Sequence, residues 1–183
     1  MTTAQASTFF AVLALACAGA TAIVWVLALI RWLRPQSGAG QAIPALQPAA
    51  LWLGWLVATV TTSGSLYYSL VAHFEPCELC WYQRICMYPM VVLLLVAAVC
   101  RDTRVWRYAV PIAAVGVLIA SYHTQLQAFP DQQTFCSLNN PCTIRYVWEF
   151  GFISLPLMDL IALLFVITMV LVARTPIDDL EES

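Results

Sequence analysis

A Cys-x-x-Cys motif, Cys77 and Cys80 in "PCELCWYQR", is followed by Arg84 four residues after its second cysteine. Pro76 suits a first helical position, so the stretch predicts a helix that begins there with both cysteines in its first turn. The unpaired amide groups and the dipole at such a helix end favour a thiolate. Arg84 would lie one turn deeper on the face of Cys80. It would stabilise a Cys80 thiolate, and also negative charge developing on an electron acceptor beside it.

A second pair of cysteines, Cys136 and Cys142, lies in "FCSLNNPCTI". Asn139, Asn140 and Pro141 predict a tight turn between them, which makes a disulfide sterically feasible. A disulfide that closes a small loop in a mobile segment tends to be labile. The pair is therefore suited to exchange with a dithiol of a partner outside the membrane.

The composition is that of an integral membrane protein. The chain has 183 residues, of which 62% are hydrophobic and only 10% are charged. A soluble domain carries about 25% charged residues. The net charge of −2 gives no reason to expect nucleic acid as a partner.

Five apolar segments are long enough, or nearly so, to cross a bilayer, which takes roughly 20 helical residues. They predict an all-α, integral membrane helical bundle with spans near 9–30, 51–72, 85–100, 107–123 and 151–173. The third is short unless its helix begins at the cysteine pair. The first has no basic n-region and is too long for a signal peptide, so it is interpreted as a retained helix.

The predicted organisation is an extra N-terminal transmembrane helix and a core of four helices, with polar segments between and after them. The boundaries are 1–34 for the extra helix, 35–48 for a cytoplasmic linker, 49–174 for the core and 175–183 for an acidic cytoplasmic tail.

The arginines predict the orientation. Six follow spans one, three or five and so share one side of the membrane: Arg31, Arg34, Arg101, Arg104, Arg107 and Arg174. Only Arg84 and Arg145 fall on the other. The positive-inside rule places the six in the cytoplasm and the N-terminus outside. Both cysteine pairs then lie on the extracytoplasmic face, where disulfides persist.

The stretch "PCELCWYQRICMYP" resembles the quinone-facing segment of the disulfide bond formation protein B (DsbB) family, and is most similar to its short-loop, BdbC-like branch. The stretches "SYHTQLQAFP" and "FGFISLPLMDL" match as well, so the resemblance covers residues from about 50 to 173. It implies that Cys77 and Cys80 are the pair reoxidised by quinone, with Cys80 next to the quinone ring. It also implies that Arg84 and His123 lie near the quinone, which would be ubiquinone or menaquinone.

The resemblance implies further that Cys136 and Cys142 accept electrons from a DsbA-like thioredoxin-fold dithiol oxidase, with Cys136 as the point of attack. The expected function is that of a thiol:quinone oxidoreductase that supports disulfide bond formation in a bacterial inner membrane. Two features depart from the family pattern. The second pair is closer together than in the proteobacterial enzymes, and the first span is additional to the four-helix core.

Three other interpretations compete. A vitamin K epoxide reductase-like protein has two cysteine pairs and a quinone, but in that family the Cys-x-x-Cys follows the other pair. A non-catalytic membrane scaffold would use the disulfides only to hold outer loops. The four paired thiols could also form a zinc site, since Cys-x-x-Cys is a common zinc spacing. The expected metal complement is none.

Several other residues have structural interpretations. Asp159, inside the fifth span, is costly there unless it is paired or faces a polar cavity. It could relay protons, pair with Arg84 or lie in a helix interface, and the structural role is favoured. Cys17, Cys86 and Cys100 are expected to behave as small apolar side chains. Small residues predict close helix packing at positions 54, 63, 64 and 65.

Overall fold

The computed structural model describes residues 2–34, 42–132, 136 and 141–174. Its five long helices are α1 (Thr3–Leu33), α2 (Ala42–Leu70), α3 (Glu78–Cys100), α4 (Trp106–Ala128) and α5 (Leu155–Arg174). Single 3₁₀ turns at Thr103–Val105 and Pro130–Gln132 flank α4. All five helices are long and apolar enough to span a membrane, which confirms the predicted all-α membrane bundle.

Helix α5 lies at the centre of the bundle, packed against α1, α2 and α4. Its buried Leu163, Val166 and Met169 join Met90 and Leu94 of α3 in one apolar core. Small residues allow the closest approaches. A β-carbon built on Gly116 of α4 would lie only 2.9 Å from atoms of Cys86 and Leu163.

The paired cysteines and most arginines lie at opposite ends of the bundle. At one end, Arg174 stacks on Trp106 at 4.0 Å, which joins the end of α5 to the start of α4. At the other, Thr8 donates to Glu149 at 3.2 Å, close to the cysteine pairs in the chain. This arrangement is the one that the orientation prediction requires, while the compartment that each end faces stays a prediction.

Several predicted boundaries differ from the structure. Helix α3 begins after Cys77, which is its N-cap residue, and not at Pro76. Residues 42–48, within the predicted linker, are helical, because α2 already begins at Ala42. Pro44 lies in the first turn of α2, where backbone N–H groups have no partner within the helix, so a proline there costs no helical hydrogen bond. Residues 35–41 and the predicted tail lie outside the described residues.

Helix α5 starts later than its apolar sequence predicts, at Leu155. The chain before it makes a tight reversal, with Phe150 and Gly151 at φ values of 54° and 80°. Pro156 therefore lies in the first turn and does not interrupt the span.

Candidate functional site

The two cysteines of the Cys-x-x-Cys motif lie in contact at the start of α3. Their sulfurs are 2.8 Å apart, and both are free thiols. As N-cap residue, Cys77 accepts a hydrogen bond from the backbone N–H of Cys80 at 3.4 Å. A third group, Nε2 of His123 on α4, lies 3.7 Å from the Cys77 sulfur.

His123 is buried and contacts Cys77 before α3, Gln83 within α3 and the loop residue Cys142. Its Nε2 lies 3.0 Å from the carbonyl oxygen of Cys142, and its Nδ1 lies 3.2 Å from Oε1 of Gln83. Since the Cys142 carbonyl can only accept, Nε2 carries the hydrogen and donates it. The ring thus joins the start of α3 to the second cysteine pair. Sequence reasoning missed Gln83, whose only signal was its place three residues after Cys80, on the same helix.

The environment of Cys77 favours its thiolate. The hydrogen bond from the Cys80 thiol has the largest effect. Together with the hydrogen bond and charge of His123 and the N–H of Cys80, it lowers the pKa of Cys77 to about 4, against the opposing effect of burial. These contacts favour the thiolate at Cys77, whereas the position of Arg84 in the sequence favoured it at Cys80.

The pH dependence of Cys77 alkylation tests this arrangement. Because its pKa is lowered, the thiolate should persist from neutral pH down to about pH 4 and be lost below it. Replacing His123 with asparagine removes the imidazole whose hydrogen bond and charge lower the pKa of Cys77, so the midpoint should rise by about one to three pH units. Labelling of Cys77, measured by peptide mass spectrometry in the reduced protein, gives the midpoint.

The control for this experiment is the chain's other histidine. His73 is exposed and has a φ of 56°, a conformation that asparagine tolerates. His73→Asn should leave the midpoint unchanged. An unchanged midpoint in His123→Asn would show that His123 does not act on Cys77.

Arg84 is held by neutral oxygens of α2. Its Nε donates to Oγ of Ser65 at 3.1 Å, and its terminal nitrogen donates to the Ser65 carbonyl at 3.3 Å and to Oγ of Ser69. The guanidinium also lies 5.0 Å from the ring centroid of Trp81. No carboxylate of the described chain forms an ion pair with it. Its positive charge therefore stays available to a bound group.

The second cysteine pair is oxidised. Cys136 and Cys142 form a disulfide with a Cα–Cα distance of 5.8 Å. Cys142 is buried against Cys77, whereas Cys136 is only partly buried. Cys136 is therefore the more accessible residue of the pair. Asn139 and Asn140, predicted to form the turn, lie outside the described residues.

Two cavities meet at Cys80. The larger has a volume of about 430 Å³, within the usual range for small-molecule sites, and its wall includes Cys80 and Arg84. The smaller, of about 20 Å³, is bordered by Cys77, Cys80, His123 and Cys142. Among the described cysteines, Cys80 alone borders both cavities.

The large cavity is mostly apolar but has polar groups near Cys80. Ser65, Ser69, Tyr88 and Arg84 lie on its wall, as does Asp159. The Oδ2 atom of Asp159 is buried and has no hydrogen-bond partner among the described residues, and Asp159 forms no ion pair with Arg84. The pairing considered for Asp159 is thus not formed.

His123 is not among the described residues that line the large cavity. The expectation that it lies near the quinone stays a prediction. His123 borders the small cavity together with Cys77, Cys80 and Cys142. Its contacts connect α4 to Cys77 and to Cys142.

Two of the four thiols considered as zinc ligands are joined in a disulfide. Ligand atoms of Cys77, Cys80 and His123 lie within 4.8 Å of one another, close enough to hold an ion. The expected site needed four thiolates, and two of these sulfurs are joined in the Cys136–Cys142 disulfide.

A helical membrane bundle with a free dithiol packed against a disulfide defines a class of membrane thiol–disulfide proteins. The family model for disulfide bond formation protein DsbB matches residues 47–173, more than half of the chain. The chain belongs to the DsbB family and is a multi-pass membrane protein of disulfide formation.

Named relatives agree with this assignment. Disulfide bond formation protein C of Bacillus subtilis (strain 168) is 43% identical over 119 residues, which cover 64% of this chain and 86% of the relative. A probable disulfide formation protein of Coxiella burnetii (strain RSA 493 / Nine Mile phase I) is 38% identical over 136 residues, covering 73% and 92%. No solved structure matches the chain significantly.

Proposed function

We propose that this protein is a thiol:quinone oxidoreductase that reoxidises an extracytoplasmic, DsbA-like thioredoxin-fold dithiol oxidase and passes the electrons to membrane quinone. The observation that carries the proposal is the position of Cys80. It borders both the small cavity of the thiols and the large apolar cavity beside Arg84. A sulfur in that position can exchange with thiols on one side and reduce a lipid-soluble acceptor on the other.

The first step is thiol–disulfide exchange with the partner. A partner thiolate attacks the sulfur of the more accessible residue, Cys136, which forms a mixed disulfide and releases the Cys142 thiolate. The second partner thiol then resolves the mixed disulfide. The partner leaves with a disulfide, and its electron pair and protons remain on this chain.

The second step transfers the electron pair inward. Cys142 and Cys77 border the same small cavity, so the Cys142 thiolate attacks the Cys77–Cys80 disulfide at Cys77. Cys80 is released as a thiolate. Attack by Cys136 on the new bond restores the Cys136–Cys142 disulfide and leaves Cys77 and Cys80 reduced. The structure has this combination of redox states, and His123 positions both reacting segments.

The third step takes place in the large cavity, whose residues fit a quinone. Its walls are apolar, and a guanidinium without a described carboxylate partner lies beside the reactive sulfur. A bound quinone supplies an acceptor for an electron pair and two protons. Cys80 directs its sulfur to that acceptor, while Arg84 stabilises negative charge developing on an acceptor oxygen. Cys77 then closes the disulfide with Cys80, completing the cycle.

The proposed location is a bacterial inner membrane, with the cysteine end and the N-terminus outside. The six arginines at the other end support this orientation through the positive-inside rule. In this orientation the partner reaches Cys136 from an oxidising compartment. Quinone and lipid contact the bundle from the membrane.

Quinone-dependent reoxidation tests the proposal. Purified protein in detergent should oxidise a reduced thioredoxin-fold partner catalytically with added quinone, and should stop after its own disulfides are consumed without it. A scaffold would resist a mild dithiol and show no dependence on quinone. The absence of such dependence would refute the proposal. The metal content of the same sample tests the zinc alternative.

A further inference from the structure

Helix α1 is fixed to the core near both of its ends. Near its start, the Tyr68 hydroxyl of α2 donates to Oγ of Ser7 at 3.1 Å in a buried contact. Further along, Nε1 of Trp25 donates to Oγ1 of Thr168 on α5 at 3.1 Å. The first span therefore packs against the bundle along its length.

This helix forms part of the wall of the large cavity. It contributes Phe10, Leu13, Ala14, Ala16, Cys17 and Ala20, while the remaining wall comes mainly from α2, α3 and α5. Along α2 the wall runs from Ser69 to Leu56. At 1.5 Å per helical residue that is a length of about 20 Å.

The polar and apolar parts of this cavity are separated. Cys80, Arg84, Ser65 and Ser69 lie towards the cysteine end of the bundle. The α1 side is apolar apart from the Cys17 thiol. The shape suits an amphipathic acceptor whose polar ring lies by Arg84 and whose apolar tail extends between α1, α2 and α5.

We propose that α1 is the lipid-side wall of the acceptor site and encloses the apolar tail of the quinone, an inference that rests on the proposed function. The family match begins at residue 47, so α1 lies outside the matched core. Without α1, the wall formed by its six residues would be replaced by lipid. A quinone tail that moves from the lipid into this cavity exchanges one apolar environment for another. Any effect of α1 on quinone binding must therefore come from how closely it packs against the tail and how it orients it. We therefore expect α1 to set selectivity for acceptors by their tails.

The test compares two neighbouring positions on α1. Ala20 lines the cavity, whereas a side chain added at Gly19 meets no atom within 4 Å. Ala20→Leu should weaken binding of a quinone with a decyl tail by about tenfold, the scale of an overpacking cost. It should leave binding of the same ring without a tail unchanged. Gly19→Leu should change neither affinity. Ala16→Leu, at a cavity position that is otherwise exposed, gives a second variant if Ala20→Leu does not fold.

A labelling measurement gives a readout that does not depend on activity. Cys17 is a free thiol on the cavity wall, and the exposed thiol of Cys100 lies at the far end of α3. The tailed quinone should protect Cys17 from a membrane-permeable maleimide and leave Cys100 labelling unchanged, as measured by peptide mass spectrometry. Lack of Cys17 protection at saturating quinone would overturn the inference.

The outcomes separate this inference from the proposed function. If the unmodified chain binds neither quinone, the proposed function fails and the inference fails with it. If the unmodified chain binds both but the cavity-facing variants match Gly19→Leu, only the role of α1 is refuted. Equal weakening of the tailed and tail-free quinones would also refute enclosure of the tail.

Discussion

Replacing Cys80 with serine should reduce quinone reduction to background, a loss of at least about a thousandfold, as for removal of an essential nucleophile. Among the described cysteines only Cys80 borders both cavities, so no other sulfur replaces it. The Cys136–Cys142 disulfide remains in this variant. One equivalent of reduced partner should therefore still react before turnover stops. Stopped-flow oxidation of the partner and quinol formation, followed together, separate the two half-reactions.

Cys100→Ser is the matched control, because it makes the same chemical change at an exposed position at the far end of the same helix. Its turnover should equal that of the unmodified chain. If Cys80→Ser reduces quinone at a similar rate, the route through Cys80 is wrong. If it fails to react even once with the partner, the assignment of the Cys136–Cys142 disulfide to the first step is wrong.

Replacing Arg84 with methionine should lower kcat/KM for quinone by roughly a hundred- to a thousandfold, the scale for loss of one donor to developing negative charge. Thiol exchange with the partner should be unaffected, because Arg84 lines only the large cavity. Arg84→Lys should give an intermediate rate. Lysine keeps the charge, but it cannot reproduce the planar fork that contacts Ser65 and Ser69.

The control for Arg84 is Arg104→Met, which removes an exposed arginine from the connection between α3 and α4. This variant should retain full activity. Equal losses in Arg84→Met and Arg104→Met would point to a general effect of charge. A loss of partner oxidation in Arg84→Met, measured without quinone, would show that the arginine supports the fold or the thiol pair.

The sequence was sufficient to predict the five helices, because long apolar runs in a membrane leave few alternatives to the helix. It misplaced helix ends where local geometry decides them. The φ values of Phe150 and Gly151 delay the start of α5, and the sulfur of Cys77 caps α3 from outside the helix. Such features depend on contacts between segments, which hydropathy does not describe.

The candidate site was predictable where its residues are close in the sequence. Cys77, Cys80 and Arg84 share one short segment, so helical spacing placed them together. The oxygens of Ser65 and Ser69 come from α2, and their role depends on how α2 packs against α3. His123 lies 3.7 Å from the Cys77 sulfur, a contact between α4 and the start of α3 that the sequence does not show. The wall formed by α1 follows only from tertiary packing.

The position of Cys80 between two cavities also has a kinetic consequence under the proposed function. The small cavity, at about 20 Å³, has room for about one water molecule and for no small-molecule thiol. Soluble thiols such as glutathione therefore cannot reach Cys77 and Cys80 through this cavity, and under the proposed function electrons reach that pair through Cys142. The two substrates never meet, so steady-state kinetics should follow a ping-pong pattern.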